Sequence, residues 1–197
     1  MSGRGGSLQA ETLLLALGAN ATGSWGQPRA TLQRALEGLE RKGTTIVCTS
    51  NLYSTRPLGF GRQDRYFNAV LLAKTSMASA QLLRVIKQIE RSAGRELTRS
   101  MAPRALDIDI LDFGGRRMGW PPHRHERRER GRLILPHPEL HRRPFVLVPL
   151  LDVAPAWRHP VLGSSARTLL LQLLPEIRAG VGQALDFSVP ACDKQCS

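Results

Sequence analysis

The sequence predicts an α+β fold, a ferredoxin-like antiparallel sheet with a β-α-β-β-α-β core covered by helices, followed by extra C-terminal helices. Three observations predict it. Four apolar or alternating runs have strand length and mostly stop at glycine or a turn. Two segments between them carry leucine and isoleucine at helical spacing, and further apolar helical segments gather after residue 143.

Thr12–Leu17 is an apolar run closed by Gly18, as expected for a buried strand. Pro28 suits the first turn of a helix, Leu32, Ala35, Leu36 and Leu39 follow at helical spacing, and Gly43 marks the stop. Thr44–Tyr53, rich in Thr, Val and Ile, reads as one strand, and Pro57–Gly61 as a loop. Tyr66–Ala73 is the third strand. Ser76 is the expected N-cap of a helix over 78–92, with Leu82, Leu83, Ile86 and Ile89 inward and Gly94 at its end. Leu106–Phe113 is the fourth strand, closed by Gly114-Gly115. Gly119–Arg130 is polar, basic and proline-containing, hence an exposed loop, and 144–153 and 166–174 are helices. Beyond Pro175 the pattern fades. One domain over 11–175 is expected, with flexible ends at 1–10 and 176–197.

With 42% apolar and 22% charged residues, the chain of 197 residues is globular rather than disordered. No run approaches the roughly 20 apolar residues of a membrane helix. The first ten residues have one arginine and no apolar run, unlike a secretory signal, and a cytoplasmic protein is expected. Cys48 reads as a buried strand thiol. Cys192 and Cys196 lack the nearby Cys or His partners that zinc requires.

The net charge of +12 asks for anionic partners. Its distribution is local: from Arg116 to Arg143 nine arginines face three glutamates, a net of +6. That segment lies just downstream of Pro103-Arg104-Ala105-Leu106-Asp107-Ile108-Asp109-Ile110. Side chains alternate along a strand, so Leu106, Ile108 and Ile110 share one face and Asp107 and Asp109 the other, their Cα atoms about 7 Å apart. Two such carboxylates suit magnesium, which takes one or two from a protein and completes its shell with water and phosphate. On spacing alone a solvated polar face explains them as well.

Phosphoryl transfer needs cations around the phosphates, and Arg binds phosphate bidentately. Arg95, Arg99, Arg104, Arg132, Arg142 and Arg143 flank the pair, and His137 could donate to a phosphate. Tyr66 and Asn68 share a strand face, an aromatic platform beside an amide, and Phe145 offers a second platform. Core packing is the ordinary explanation for both aromatics.

Taken together these segments resemble the 6-hydroxymethyl-7,8-dihydropterin pyrophosphokinases of folate synthesis. The pieces occur in family order: Leu17-Gly18-Ala19-Asn20, Ser54-Thr55-Arg56-Pro57-Leu58-Gly59, Tyr66-Phe67-Asn68-Ala69, Ile89-Glu90 with Gly94-Arg95-Glu96, the aspartate segment, and Leu135-Pro136-His137-Pro138-Glu139 followed by Arg143-Pro144-Phe145. The resemblance implies transfer of diphosphate from ATP to the pterin's hydroxymethyl group with release of AMP. It implies that Asp107 and Asp109 hold two Mg2+ ions, and that Arg95 and Arg104 stabilise the transferring group. Leu83, Glu90, Arg104, Ile110, Arg132, Leu133, His137 and Arg143 would line the ATP site. Tyr66 and Phe145 would sandwich the pterin, with Asn68, Thr55, Arg56 and Leu58 reading its edge. Met101-Ala102 stands where the family usually has Trp-Gly, Leu97 where Arg is common, Pro138 for Tyr and Ala19 for Ser.

The partners implied are small molecules, with no membrane and with the chain a monomer. A nucleic-acid binder is the rival from another class. Apart from Trp120 at its start the basic loop is nearly free of aromatics, which leaves no evident stacking platform, and glutamates break up the run, so binding to nucleic acid is expected to be incidental. An enzyme of this scaffold with a changed substrate is disfavoured by the intact Tyr66, Asn68 and Phe145.

Overall fold

In the computed structural model, which describes residues 9–55, 64–94, 104–120 and 133–187, the central strands are the most apolar ones. These are β1 (Glu11–Ala19) and β4 (Tyr66–Thr75), which pair antiparallel along their length. Around them stand β2 (Thr44–Thr49), β3 (Leu52–Thr55), β5 (Asp107–Phe113) and β6 (Val181–Leu185). The order is β5-β1-β4-β3-β6, with β2 also on β4, and every pairing is antiparallel. The helices are α1 (Pro28–Arg41), α2 (Ser79–Ser92), α3 (Pro144–Val153), α4 (Ala166–Leu171) and the single turn α5 (Pro175–Arg178). This is an α+β antiparallel sheet with helices on it, as the element order predicts.

Alternation along β1 divides the core between two faces. Leu13, Leu15 and Leu17 join Leu32, Leu36 and Leu39 of α1 and Leu82 and Ile86 of α2. Leu14 joins Val70, Leu111, Val146, Leu147 and Leu150, under α3 and α4. Each fully buried leucine stabilises the fold by roughly 1.5–3 kcal/mol before entropy is charged against it.

β5 is an edge strand, and both of its expected faces are present. Ile108 and Ile110 are buried in the first core, while Asp107 and Asp109 stay half-exposed on the other face. A register shift opposite Leu14 and Leu15 then turns both Leu111 and Asp112 toward the α3 side. Asp112 accepts hydrogen bonds there from Gly115 N (2.9 Å) and Trp157 Nε1 (2.7 Å).

Five expectations differ from what is observed. The strand expected over 44–53 is broken into β2 and β3, because Asn51 N and Nδ2 and Tyr53 Oη all donate to Asp152 at the end of α3. The second helix starts from Ala78 rather than from a Ser76 cap, and Thr75 Oγ1 instead accepts from Met77 N. The last expected helix stops at Leu171, and Cys48 is half-buried rather than buried. Finally, the tail expected to be loose after Pro175 is built into the fold as far as residue 187. There β6 pairs with β3, Arg29 donates to Asp186 O, and Phe187 is buried in the core. Residues 188–197 and 1–8 lie outside the described residues.

Candidate active site

The sheet register assembles the site. Gly18 of β1 pairs with Asn68 on one side and with Asp107 on the other, and Asn68 pairs with Tyr53. Paired residues point to the same face, so Asp107 and Asn68 look out from that face with only the glycine between them. The strand spacing puts their Cα atoms roughly 10 Å apart, about the span of a fused two-ring molecule. A Cβ on Gly18 would stand 3.0 Å from Asn68 Oδ1, so the small residue leaves the amide its place.

Asn68 is buried, and its Nδ2 donates to Thr55 Oγ1 at 2.7 Å. Thr55 pairs with Tyr66, which returns the tyrosine to the same face. Burial raises the Tyr66 pKa; the Arg104 charge opposes that, Asp107 adds to it, and Asn20 opposes it. Tyr66 therefore shares its surroundings with the Arg104–Asp107 pair. The hydroxyl is held neutral, which keeps the ring an uncharged stacking surface.

Each aspartate meets a cation from a different part of the chain. Arg104 Nη1 donates to Asp107 Oδ2, and Arg143 Nη1 donates to Asp109 Oδ2 at 3.1 Å. Burial lowers the Arg104 pKa, but Asp107 more than reverses this and leaves it raised, so the guanidinium is firmly charged. Arg143 caps α3, and its guanidinium lies 5.8 Å from the Phe145 ring centroid. His137 follows the cis Leu135–Pro136 peptide and is tied to β5 by His137 N donating to Leu111 O at 2.8 Å. Its Nδ1 accepts from Glu139 N at 3.2 Å, so the neutral ring carries its hydrogen on Nε2, which faces Asp109 Oδ2 at 3.7 Å.

On the other side of β5, the Glu90 carboxylate is 1% exposed, accepting from Ile108 N (2.9 Å) and from Lys87 Nζ (2.7 Å). It grips the strand at the residue between the two aspartates. Leu83 and Leu133 pack half-buried against the core that contains Ile108 and Ile110. Of the residues expected to act here, Thr55, Leu83, Glu90, Arg104, Asp107, Asp109, Ile110, Leu133, His137, Arg143, Tyr66, Asn68 and Phe145 are described. Arg56, Leu58, Arg95 and Arg132 lie outside the described residues.

The donor set suits magnesium chemically. Two hard, half-exposed carboxylates one residue apart leave room for water and phosphate oxygens, and arginines already balance their charge. Among the described residues no group of three or more His, Cys, Asp or Glu forms a closed metal cage. Magnesium does not require one. No helix of the described residues is long and apolar enough to cross a membrane.

Two residues at the site had no role assigned from the sequence: Gly18, the register partner of both Asn68 and Asp107, and Asn20, whose amide reaches Arg104. Both stand in the Leu-Gly-Ala-Asn stretch that ends β1, a Gly and an Asn where a strand gives way to a loop.

Comparison with known proteins bears on the family and the fold. Residues 14–155 match the family described as 7,8-dihydro-6-hydroxymethylpterin-pyrophosphokinase (HPPK). The 2-amino-4-hydroxy-6-hydroxymethyldihydropteridine pyrophosphokinase of Pseudomonas aeruginosa is 37% identical over 151 residues, 76% of this chain and 85% of that protein. A folic acid synthesis protein of Pneumocystis carinii is 33% identical over 81% of this chain, which spans only 20% of that relative. The crystal structure of wild-type HPPK-DHPS from Plasmodium falciparum has the same fold, with a TM-score of 0.59 at 19% identity. That match covers 83% of this chain and 45% of the other.

Proposed function

The chain belongs to the 7,8-dihydro-6-hydroxymethylpterin-pyrophosphokinase family, and we propose that it moves diphosphate from ATP to the hydroxymethyl group of 6-hydroxymethyl-7,8-dihydropterin, releasing AMP, in folate synthesis. The observation that carries the reading is the register row in which Asp107 and Asn68 flank Gly18, with Arg104 and Arg143 on the carboxylates. A phosphate-handling end and an amide that can read a heterocycle share one sheet face, at a distance a pterin would bridge.

In this reading Tyr66 and Phe145 stack on the pterin, and Asn68, held by Thr55, pairs with its edge. The acceptor hydroxymethyl then points toward Asp107. Its oxygen bonds to the β-phosphorus as the bond from that phosphorus to the α,β-bridging oxygen breaks. AMP leaves with the bridging oxygen, and the hydroxyl proton passes to solvent. Arg104 and Arg143 orient and neutralise the phosphates, and His137 Nε2–H offers a hydrogen bond beside them. Magnesium, when held by Asp107 and Asp109, supplies the remaining positive charge around the triphosphate. Glu90 keeps the aspartate strand in place from behind, which is a nearer role for it than direct contact with nucleotide.

The proposal also includes Arg95 and Arg104 as the cations on the transferring group, Arg132 at the ATP, and Arg56 and Leu58 at the pterin, all from the family resemblance. The β-α-β-β-α-β core is read as ferredoxin-like, supported by the order β5-β1-β4-β3. A cytoplasmic monomer is the state in which this chemistry is proposed, on composition and small-molecule substrates alone.

Incubating the protein with ATP, magnesium and the pterin and separating the nucleotides tests the reading. AMP equal to the pterin diphosphate formed is expected. ADP, or no nucleotide consumed, would overturn it.

A further inference from the structure

The loop after β1 binds the chain where Arg104 begins. Asn20 is 2% exposed, and its backbone N–H donates to Arg104 O at 3.0 Å while its side-chain Oδ1 accepts from Arg104 N at 2.7 Å. Ala21 N adds a second donor to Arg104 O at 3.2 Å. One asparagine thus satisfies both backbone groups of an arginine 84 positions away, as a neighbouring strand would. The same loop is pressed against the structure on both sides of that arginine's segment. A Cβ on Gly23 would lie 2.3 Å from Ala93 O and 2.5 Å from Ala105 Cβ, and Ser24 N donates to Ala93 O at 3.1 Å.

With its backbone fixed at both N–H and C=O, Arg104 is left little freedom but at its side chain, which turns to Asp107 Oδ2. Asn20 Nδ2, on the other end of the amide, is buried and lies toward the Tyr66 hydroxyl without a well-formed hydrogen bond to it. A leucine of similar volume would remove the contact to Arg104 N without leaving that donor stranded.

We propose that Asn20 is a positioning residue for the transfer reaction: its Oδ1 sets the Arg104 backbone and so aims the guanidinium at the Asp107 carboxylate and the phosphates beside it. The inference rests on the diphosphate-transfer reading above. It goes beyond that reading in assigning the placement of the arginine to a residue in the loop after β1 rather than to Asp107 alone.

The test is a double-mutant cycle on AMP formation with Asn20→Leu, Arg104→Ala and both together, at enzyme concentrations high enough to follow the slow forms. Misplacing a reacting group by about 1 Å can cost on the order of 100-fold in rate. Asn20→Leu is therefore expected to lower kcat about 10- to 100-fold, with the KM values for ATP and pterin within about threefold. Because the effect acts through the guanidinium, Asn20→Leu is expected to change the Arg104→Ala enzyme less than about threefold. Retained kcat in Asn20→Leu, or losses that multiply in the double variant, would overturn the proposal. If Asn20→Leu fails to fold by circular dichroism, Asn20→Ala takes its place in the same cycle under the same criteria. A wild-type protein that makes no AMP would instead sink the diphosphate-transfer reading, so the two failures are told apart.

Discussion

Glu90 accepts the backbone N–H of Ile108, the one residue that separates Asp107 from Asp109. A buried carboxylate on α2 therefore fixes the strand that carries the two half-exposed ones. Its second oxygen is paired with Lys87, whose side chain is 42% exposed against 1% for Glu90. Glu90→Ala leaves the Ile108 N–H without its partner on an edge strand and removes the buried end of an ion pair. Losing a partner in this way costs about 1–3 kcal/mol, more for a charged group. Urea unfolding should show Glu90→Ala less stable than wild type by that order. Glu90→Gln, which keeps an acceptor for Ile108 N, should fall between them. Equal stability of all three would remove Glu90 from its bracing role.

The aspartates themselves contribute charge and ligands rather than packing, since both stay half-exposed. Asp107→Ala and Asp109→Ala should each lower AMP formation by at least about 100-fold, the order seen when one preorganised charge-stabilising group is lost. Their far-ultraviolet circular dichroism should be unchanged. Magnesium titration should separate them from wild type, with saturation lost or shifted to higher concentration. Substantial activity in either variant would argue against a shared metal at these two positions.

Gly18 gives a narrower test, because its environment on the pterin side is specific. An added Cβ meets Asn68 Oδ1 at 3.0 Å, tight enough that the amide must move, and Asn68 in turn is bonded to Thr55. Gly18→Ala should raise KM for the pterin about 3- to 10-fold, the cost of about one hydrogen bond, while KM for ATP changes little. A rise in both constants together would mean that the substitution disturbs Asp107 across the strand rather than the Asn68 amide.

How much of this could be read from the sequence depends on how local the cause is. Helices α1 and α2 follow from leucines at helical spacing, and the two aspartates share a face because alternation is a property of any strand. The break between β2 and β3 is not local: it needs Asp152, about a hundred positions along the chain, to draw off the polar groups of Asn51 and Tyr53. β6 was missed for a similar reason. Val181–Leu185 contains a glycine and only short apolar content, and what holds it is the edge of β3 together with the burial of Phe187. At the site, composition and motif gave the residue types. The register row through Gly18, the Arg143–Asp109 pair and the hold of Asn20 on Arg104 arise only when distant strands meet.

Outside the site, His159 makes stability depend on pH. It is 1% exposed, and its Nδ1 accepts from Val161 N and Leu162 N, both at 3.2 Å, so the neutral ring is the form that fits. Its ring lies 5.8 Å from Trp120, 5.7 Å from Trp157 and 6.1 Å from His141, centroid to centroid. Burial and then the His141 charge push its pKa down to about 4, against a smaller pull upward from Asp112. The unfolded chain takes up a proton near pH 6.5 and the folded one only near pH 4, so the unfolded state binds more protons between those values. The stabilisation is complete above about pH 6.5 and is lost as pH falls toward 4. The loss is of the order of 2–3 kcal/mol. In His159→Asn the amide oxygen takes over the acceptor role of Nδ1 without titrating. Urea midpoints measured from pH 7 down to pH 4 should fall more steeply for wild type than for His159→Asn, with carboxylate effects common to both. Parallel curves would mean that His159 is not held neutral by the fold.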